Sequence, residues 1–117
     1  MPVPALVAVK PRGGKLEKSP IDAAKVLEGK PTTGLRNDFT NAKGKFHCGI
    51  WTSPSGTWTV SYGEDEFIVL LEGTVKLTPE GGRAKTFKAP QAFVIPKGFK
   101  GTWETLEPVR KYYAIAE

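Results

Sequence analysis

The sequence is short of the residues that usually build metal and disulfide sites, since its 117 residues include one cysteine, one histidine and one methionine. A single cysteine, Cys48, cannot form a disulfide within the chain, and this favours a reducing, cytoplasmic setting. No apolar run approaches the roughly 20 residues that a membrane-spanning helix needs. The apolar piece near the N-terminus follows no basic segment, so we expect neither a signal peptide nor a membrane partner.

Charge of one sign is also not concentrated anywhere in the chain. The net charge is +5 and the isoelectric point is near 9.4, with part of the excess in residues 1–33. Such values occur in nucleic-acid-binding proteins. Here, however, no Lys/Arg cluster is interleaved with aromatic residues, and no recognition motif is present. We therefore expect no nucleic-acid partner; that function would require the basic N-terminal segment to be the active element.

Turn-forming residues, in contrast, are abundant, with 13 glycines and 10 prolines. From residue 34 onward, short apolar or alternating runs are separated by turns at intervals of about ten residues. One run alternates Trp58, Val60 and Tyr62 with hydroxyl-bearing residues, which places the bulky side chains on one face of a strand. Many short strands of this kind are typical of a sandwich or a barrel. We predict an all-β fold with one barrel domain over residues 34–117.

Residues 1–33 form an N-terminal arm in this interpretation, and they carry the signals of one short helix. Ser19 is a favourable N-cap, Asp22 lies near the positive end of the helix dipole, and Gly29 would end the helix. The proline-rich first stretch is either an edge strand or an arm laid on a neighbouring subunit. Because pairing across subunits also protects barrel edges, we expect a homodimer.

Two spaced motifs resemble those of the cupin superfamily. Glu66 is followed after six residues by Gly73 at a turn, and Pro96-Lys97-Gly98 forms a second turn further on. More narrowly, the order of several segments resembles the subgroup of the ureidoglycine aminohydrolase cupin domain and the ethanolamine-utilisation cupins. These segments are Gly49-Ile50-Trp51, Pro54-Ser55-Gly56-Thr57-Trp58, Gly98-Phe99-Lys100-Gly101-Thr102-Trp103-Glu104 and Arg110-Lys111-Tyr112-Tyr113. The resemblance implies a single cupin jelly-roll barrel, also called a double-stranded β-helix.

The sequence departs from that family at its metal site. The family uses two histidines just before the motif glutamate and one after the second turn, whereas those places here hold Val60, Tyr62 and Gly101. Of the four implied ligands, Glu66 alone remains, and a transition metal needs several converging donors. We expect no metal ligands and no cofactor at this site, with a weakly bound divalent ion as the alternative.

The candidate catalytic residues are Glu66 and Tyr62. A carboxylate at the start of an apolar strand is costly to bury without a partner, so Glu66 is either a general base in a pocket or an acceptor of hydrogen bonds from Tyr62 or a nearby lysine. Tyr62 stands at a former ligand place, so we expect its hydroxyl to point toward the barrel axis and to pair with Glu66.

The candidate ligand pocket adds three indoles, a lysine and the single histidine. Three indoles would make rigid, flat pocket walls, although each is equally suited to a barrel core. The lysine lies in the last predicted strand and points either inward, toward the motif carboxylate, or to the surface. The histidine is either a rim residue or an acid–base group. These residues are Trp51, Trp58, Trp103, Lys111 and His47.

Three functions follow as hypotheses. The first is a barrel that binds a polar, nitrogen-bearing small metabolite, with hydrolytic or isomerising chemistry if it is an enzyme. In that case Glu66 would act as the base and Tyr62 as the acid or an orienting hydroxyl. The second is a metal-free binding or sensing module without catalysis, and a metal-dependent hydrolase similar to ureidoglycine aminohydrolase is a further variant. The third is nucleic-acid binding through the arm.

Overall fold

Nine strands make up the computed structural model, which describes residues 3–117 and contains no helix within that range. None of the described segments is therefore a helix long and apolar enough to cross a membrane. Residues 1 and 2 of the predicted arm lie outside the described part. The strands are β1 (Glu17–Pro20), β2 (Val26–Glu28), β3 (Thr32–Thr40), β4 (Phe46–Ser53), β5 (Gly56–Ser61), β6 (Asp65–Pro79), β7 (Lys85–Lys88), β8 (Ala92–Ile95) and β9 (Lys100–Ala116).

Two long strands organise the sheet. Strands β6 and β9 pair antiparallel along almost their whole lengths, from Asp65 opposite Ala116 to Pro79 opposite Gly101. The second half of β9 also pairs with β4, and its first half pairs with β5. Strand β6 pairs in turn with β7 and β8. All pairings are antiparallel, and the sheet curls into the predicted jelly-roll barrel, which confirms the all-β fold class.

The predicted short helix near residue 20 is wrong. Ser19 lies in β1 and does not cap a helix. The Asp22 carboxylate accepts a hydrogen bond from the backbone N–H of Ala24 at 3.0 Å, which forms a turn. The chain then enters β2, where Val26 lies opposite Trp58 of β5. A capping residue suits a turn as well as a helix, and two helical turns have little stability of their own. Pairing of the β-branched Val26 with the sheet therefore decides the conformation.

Alternation along the long strands separates the barrel interior from the surface. Glu66, Ile68 and Leu70 of β6 are buried, whereas Phe67, between Glu66 and Ile68, is exposed. Strand β8 continues the pattern, with Phe93 and Ile95 buried and Val94 exposed. Burial of these side chains supplies the main favourable free energy of folding. The alternation thus identifies the inner face of the sheet as apolar. Charged residues buried on that face, such as Glu66 and Lys111, are candidates for a functional site.

Residues 3–16, the first part of the predicted arm, contain no strand, and arginines hold the second half of this segment against the barrel. The Arg36 guanidinium donates hydrogen bonds to the backbone carbonyls of Lys10 and Gly13, and Arg110 donates one to the carbonyl of Pro11. The apolar side chains at the start of this segment do not pack against the barrel, since Val3 is 88% and Leu6 102% exposed. The segment is therefore attached through its second half, and the side chains of Val3 and Leu6 are left exposed.

Replacement of Gly73 by alanine tests the close approach of β6 to β9. Gly73 has φ +89°, and a Cβ atom there would lie 2.1 Å from the carbonyl oxygen of Pro108. We expect Gly73→Ala to lower the free energy of unfolding in urea by more than about 2 kcal/mol, since backbone strain and a clash combine.

Gly81→Ala is the matched control. Gly81 also has a positive φ, +71°, but a Cβ atom there would meet nothing within 4 Å. Its substitution should therefore cost only about 1 kcal/mol. Equal losses in the two variants would show that the contact between Gly73 and Pro108 does not constrain the barrel.

Candidate functional site

One cavity of about 480 Å³ opens between the inner faces of the strands. Seven side chains named in the sequence analysis line it together: Glu66, Tyr62, Trp51, Trp58, Trp103, Lys111 and His47. The sequence analysis missed five further lining residues: Ile21, Leu35, Asn37, Tyr113 and Ile115. The site is thus assembled from strands that lie far apart in the sequence, and six of its twelve lining residues are Asn, His, Tyr, Glu or Lys.

Strand register explains why these side chains meet. In the β4–β9 ladder, Trp51 lies directly opposite Lys111, so both side chains project from the same face of the sheet. In the β5–β9 ladder, Trp58 lies opposite Trp103 in the same way. Strand β9 therefore contributes both the lysine and one indole, and its two flanking strands contribute the other indoles.

A buried ion pair lies in the wall of the cavity. Lys111 Nζ donates a hydrogen bond to Glu66 Oε2 at 2.7 Å, and the two side chains are 6% and 8% exposed. Desolvation lowers the pKa of Lys111, while the charge of Glu66 and the hydrogen bond to it act in the opposite direction. Each charge therefore depends on the other, because burial of either one alone is costly.

Indole rings complete the surroundings of the lysine. Lys111 Nζ lies 4.5 Å from the ring centroid of Trp51 and 4.9 Å from that of Trp103. The two rings meet edge to face, with centroids 5.4 Å apart, while Trp58 stacks on Trp103 at 6.3 Å. Since a cation is attracted to the face of an indole, this cage favours a positive charge at Nζ. The cation site of the cavity is thus occupied by the protein itself.

Hydroxyl groups fix the orientation of the deepest indole. Trp103 Nε1 donates a hydrogen bond to Thr105 Oγ1 at 2.9 Å, and Thr105 Oγ1 lies 3.1 Å from Ser53 Oγ. All three residues are buried, and Ser53 also donates to the carbonyl of Pro54 at 2.6 Å. A buried indole with its N–H satisfied has little freedom to rotate, so this wall of the cavity is rigid.

Tyr62 reaches the same cavity without binding to Glu66. No hydrogen bond joins the two side chains within residues 3–117; the carboxylate instead accepts from Lys111, the other donor that the sequence left open. Desolvation raises the pKa of Tyr62, and the nearby Glu66 charge adds to this effect. The phenol therefore stays protonated at neutral pH and can donate a hydrogen bond into the cavity.

The rim is formed by residues with partners of their own. His47 Nδ1 lies 2.9 Å from Thr40 Oγ1, and its Nε2 contacts the Glu117 carboxylate. The Tyr113 hydroxyl donates to Asn37 Oδ1 at 2.7 Å, and desolvation raises the pKa of Tyr113 to about 12. Tyr113 could have been found from its position two residues after Lys111 on one strand. No sequence pattern pointed to Asn37 as a lining residue, since it reaches the cavity only through the pairing of β3 with β4.

The residues present do not fit the metal that the family resemblance implies. The remaining ligand candidate, Glu66, is engaged by the Lys111 ammonium group. At position 101, a Cβ atom would lie 2.0 Å from the backbone carbonyl oxygen of Thr78, so the backbone leaves no room for a side chain there. Within residues 3–117, no group of three or more His, Cys, Asp or Glu side chains is placed to hold a metal ion.

Comparison with known proteins identifies what this architecture is similar to. A model of the EutQ-like cupin domain matches residues 40–113, more than half of the chain. A protein of unknown function of the DUF861 family from Pseudomonas syringae has a TM-score of 0.84 and 24% identity over 92% of this chain and 46% of its own. The chain thus spans about half the length of that protein.

Two further structures extend the comparison. The EutQ protein of Clostridium difficile has a TM-score of 0.66 and 21% identity over 74% of this chain and 63% of its own. A DUF861 family protein from Thermotoga maritima has a TM-score of 0.54 and 34% identity over 55% of this chain and 73% of its own. No curated protein matches the chain.

A double-mutant cycle tests the coupling of the two buried charges. We expect Lys111→Met or Glu66→Leu alone to lower the free energy of unfolding by about 3–5 kcal/mol, since each leaves one charge buried without a partner. The double variant should recover most of that loss, because the interior is then apolar throughout. Urea unfolding of all four proteins provides the measurement.

The exposed residues Glu80 and Lys85 provide the control pair. Glu80→Leu and Lys85→Met should each change the free energy of unfolding by less than about 0.5 kcal/mol. If the losses of the two buried single variants simply added in the double variant, the charges would be stabilised independently, and the description of the pair as one unit would be wrong.

Proposed function

The chain belongs to the EutQ-like cupin family, and on that premise we propose that it binds a small, flat, polar metabolite inside its barrel. The cavity of about 480 Å³ lies within the range of roughly 300–1,000 Å³ that is usual for small-molecule sites. Its lining is mainly aromatic and aliphatic, with a few polar groups. This combination is typical of a pocket that holds a small ligand by shape and orients it by a few hydrogen bonds.

The observation that carries the proposal is the buried pair of Glu66 and Lys111 in the cavity wall. Glu66 Oε2 is engaged by the lysine, while Oε1 has no hydrogen-bond partner in the part of the chain that the structure describes. The Tyr62 hydroxyl has none there either. A ligand can therefore donate an N–H to Glu66 and accept a hydrogen bond from Tyr62 without displacing the ion pair.

These groups favour a nitrogen-bearing, planar ligand such as an amide or a ureide. A planar amide presents N–H donors and a carbonyl acceptor in one plane, and it can lie against the flat face of an indole. A cationic amine is a poorer fit, since the Lys111 ammonium group already lies over the faces of Trp51 and Trp103. The ureide chemistry of the ureidoglycine aminohydrolase cupins is compatible with this preference.

Binding without catalysis is the simpler form of the proposal. Glu66 Oε2 accepts a hydrogen bond from Lys111, so this oxygen is not free to take a proton from a bound amide or ureide. Tyr62, with its raised pKa, acts as a hydrogen-bond donor. Metal-dependent hydrolysis requires a set of donors that the residues around Glu66 do not provide.

Ligand screening with matched variants tests the proposed pocket. We expect members of a panel of small amides and ureides to raise the melting temperature of the wild-type protein. Glu66→Gln should weaken binding of such a compound by about tenfold or more, since a hydrogen bond to a charged group contributes ~1.5–3 kcal/mol. Isothermal titration calorimetry measures the affinities.

Tyr112→Phe is the control for Tyr62→Phe in the same titrations. Tyr112 neighbours Tyr113 on β9 but does not line the cavity, so its hydroxyl should not affect binding. Tyr62→Phe should weaken binding several-fold. A compound that binds wild type, Glu66→Gln and Tyr62→Phe with one affinity would place the binding site elsewhere and contradict the proposal.

The arm supports a second proposal, that the protein is a homodimer. Val3 and Leu6 are almost fully exposed, and they precede a stretch, residues 10–13, whose carbonyls accept hydrogen bonds from Arg36 and Arg110. Large exposed apolar side chains that lie close together in the chain are typical of an interface. The barrel itself exposes a matching apolar pair, Phe39 and Phe46, whose rings lie 6.3 Å apart. We propose that these apolar surfaces meet between two copies of the chain.

Sedimentation equilibrium tests the dimer. The wild-type protein should sediment as a dimer at micromolar concentration, and the triple variant with Val3→Ser, Leu6→Ser and Val7→Ser should dissociate at least about tenfold more readily. A control variant, Lys15→Ser, alters an exposed polar residue of the same arm and should leave the dimer unchanged. A wild-type monomer, or equal dissociation of both variants, would refute the role of the arm.

A further inference from the structure

Lys111 differs from every other lysine of the protein in its surroundings. Its side chain is buried and lines the cavity, whereas the other lysines within residues 3–117 are exposed or half-buried. A lysine that points into a largely apolar cavity is accessible to a ligand but shielded from bulk water. The proposed binding of an amide or ureide uses Glu66 and Tyr62 and gives no role to the amine itself.

We propose that Lys111 Nζ forms a reversible imine with small planar aldehydes that enter the cavity. The proposal rests on the proposed function to the extent that both place a flat ligand against the same indoles. It adds an activity, covalent capture of a reactive carbonyl compound, that a binding pocket alone does not have. The chemistry requires an amine, a proton acceptor beside it and a surface that stabilises a cation, and all three are present.

Proton transfer to Glu66 would begin the reaction, because Glu66 Oε2 lies 2.7 Å from Nζ. The free amine then attacks the carbonyl carbon, so a C–N bond forms and the π electrons move to the oxygen. After a proton shifts from nitrogen to that oxygen, the protonated Glu66 supplies a further proton, and the C–O bond breaks with loss of water. The products are an iminium ion, one water molecule and the Glu66 carboxylate, with no oxidant or reductant consumed.

The groups that stabilise the protonated lysine also stabilise the iminium product. An iminium nitrogen carries the same positive charge in the same place as the ammonium nitrogen, beside Glu66 and over the faces of Trp51 and Trp103. The apolar lining limits the water that would hydrolyse it. Burial also lowers the pKa of Lys111, which increases the fraction of free amine relative to an exposed lysine.

Reductive trapping of the wild-type protein tests the proposal. Benzaldehyde, a flat aldehyde, is added at neutral pH with cyanoborohydride, which reduces an imine to a stable benzylated lysine. Peptide mass mapping over time gives the rate at each lysine. We expect Lys111 to be benzylated at least about tenfold faster than the average exposed lysine. Lys111→Arg should abolish that fast component, and Lys85→Arg, at an exposed lysine, should leave it unchanged.

Benzamide separates the failure of this proposal from the failure of the proposed pocket. It has nearly the same shape as benzaldehyde but does not form an imine, and it should protect Lys111 from trapping if it binds in the cavity. If only exposed lysines are benzylated while amides still bind in a Glu66-dependent manner, the imine is refuted and the pocket stands. If only exposed lysines react and no amide or ureide binds, both proposals are wrong.

Discussion

A buried ion pair between Lys111 and Glu66 is the interaction on which the rest of the site depends. The two residues come from β9 and β6, the strands that pair along most of their lengths, so the barrel itself holds them together. A charge inside an apolar barrel is tolerated only when it is paired and its remaining surface is favourably contacted. Two indole faces provide that contact here, and the position of each indole therefore depends on the charge that it covers.

This arrangement gives the barrel a cation that is part of its own chain. In the cupin family that the two motifs resemble, the motif glutamate is one of four metal ligands, together with three histidines. Here the glutamate faces the Lys111 ammonium group, and the backbone at Gly101 has no room for a side chain. A lysine differs from a metal ion in a way that matters for chemistry, since it can lose its charge by giving up a proton. In the proposed imine chemistry, the Lys111 amine that remains after loss of this proton is the nucleophile.

The sequence was sufficient for the all-β fold class, because short alternating runs separated by turns are a local pattern. Alternation placed Trp58 and Tyr62 on one face, and motif spacing singled out Glu66. The sequence left the pairing of Glu66 with Lys111 as one of several alternatives, because the choice depends on how β6 and β9 pair, and the two residues are 45 positions apart. The incorrect helix had the same origin: Asp22 favours a turn or a helix locally, and the distant Trp58 decides between them.

Rigidity distinguishes this cavity from a core that merely has a gap. Trp103 is held by its hydrogen bond to Thr105 and by its stack with Trp58, so two of the three indole walls have little freedom to move. Trp51 is half-buried and lies closer to the solvent, opposite Leu35 of β3. A pocket with two fixed walls loses little entropy when a flat molecule enters. A ligand of the proposed kind would therefore have to fit a shape that the ion pair and the indoles have already set.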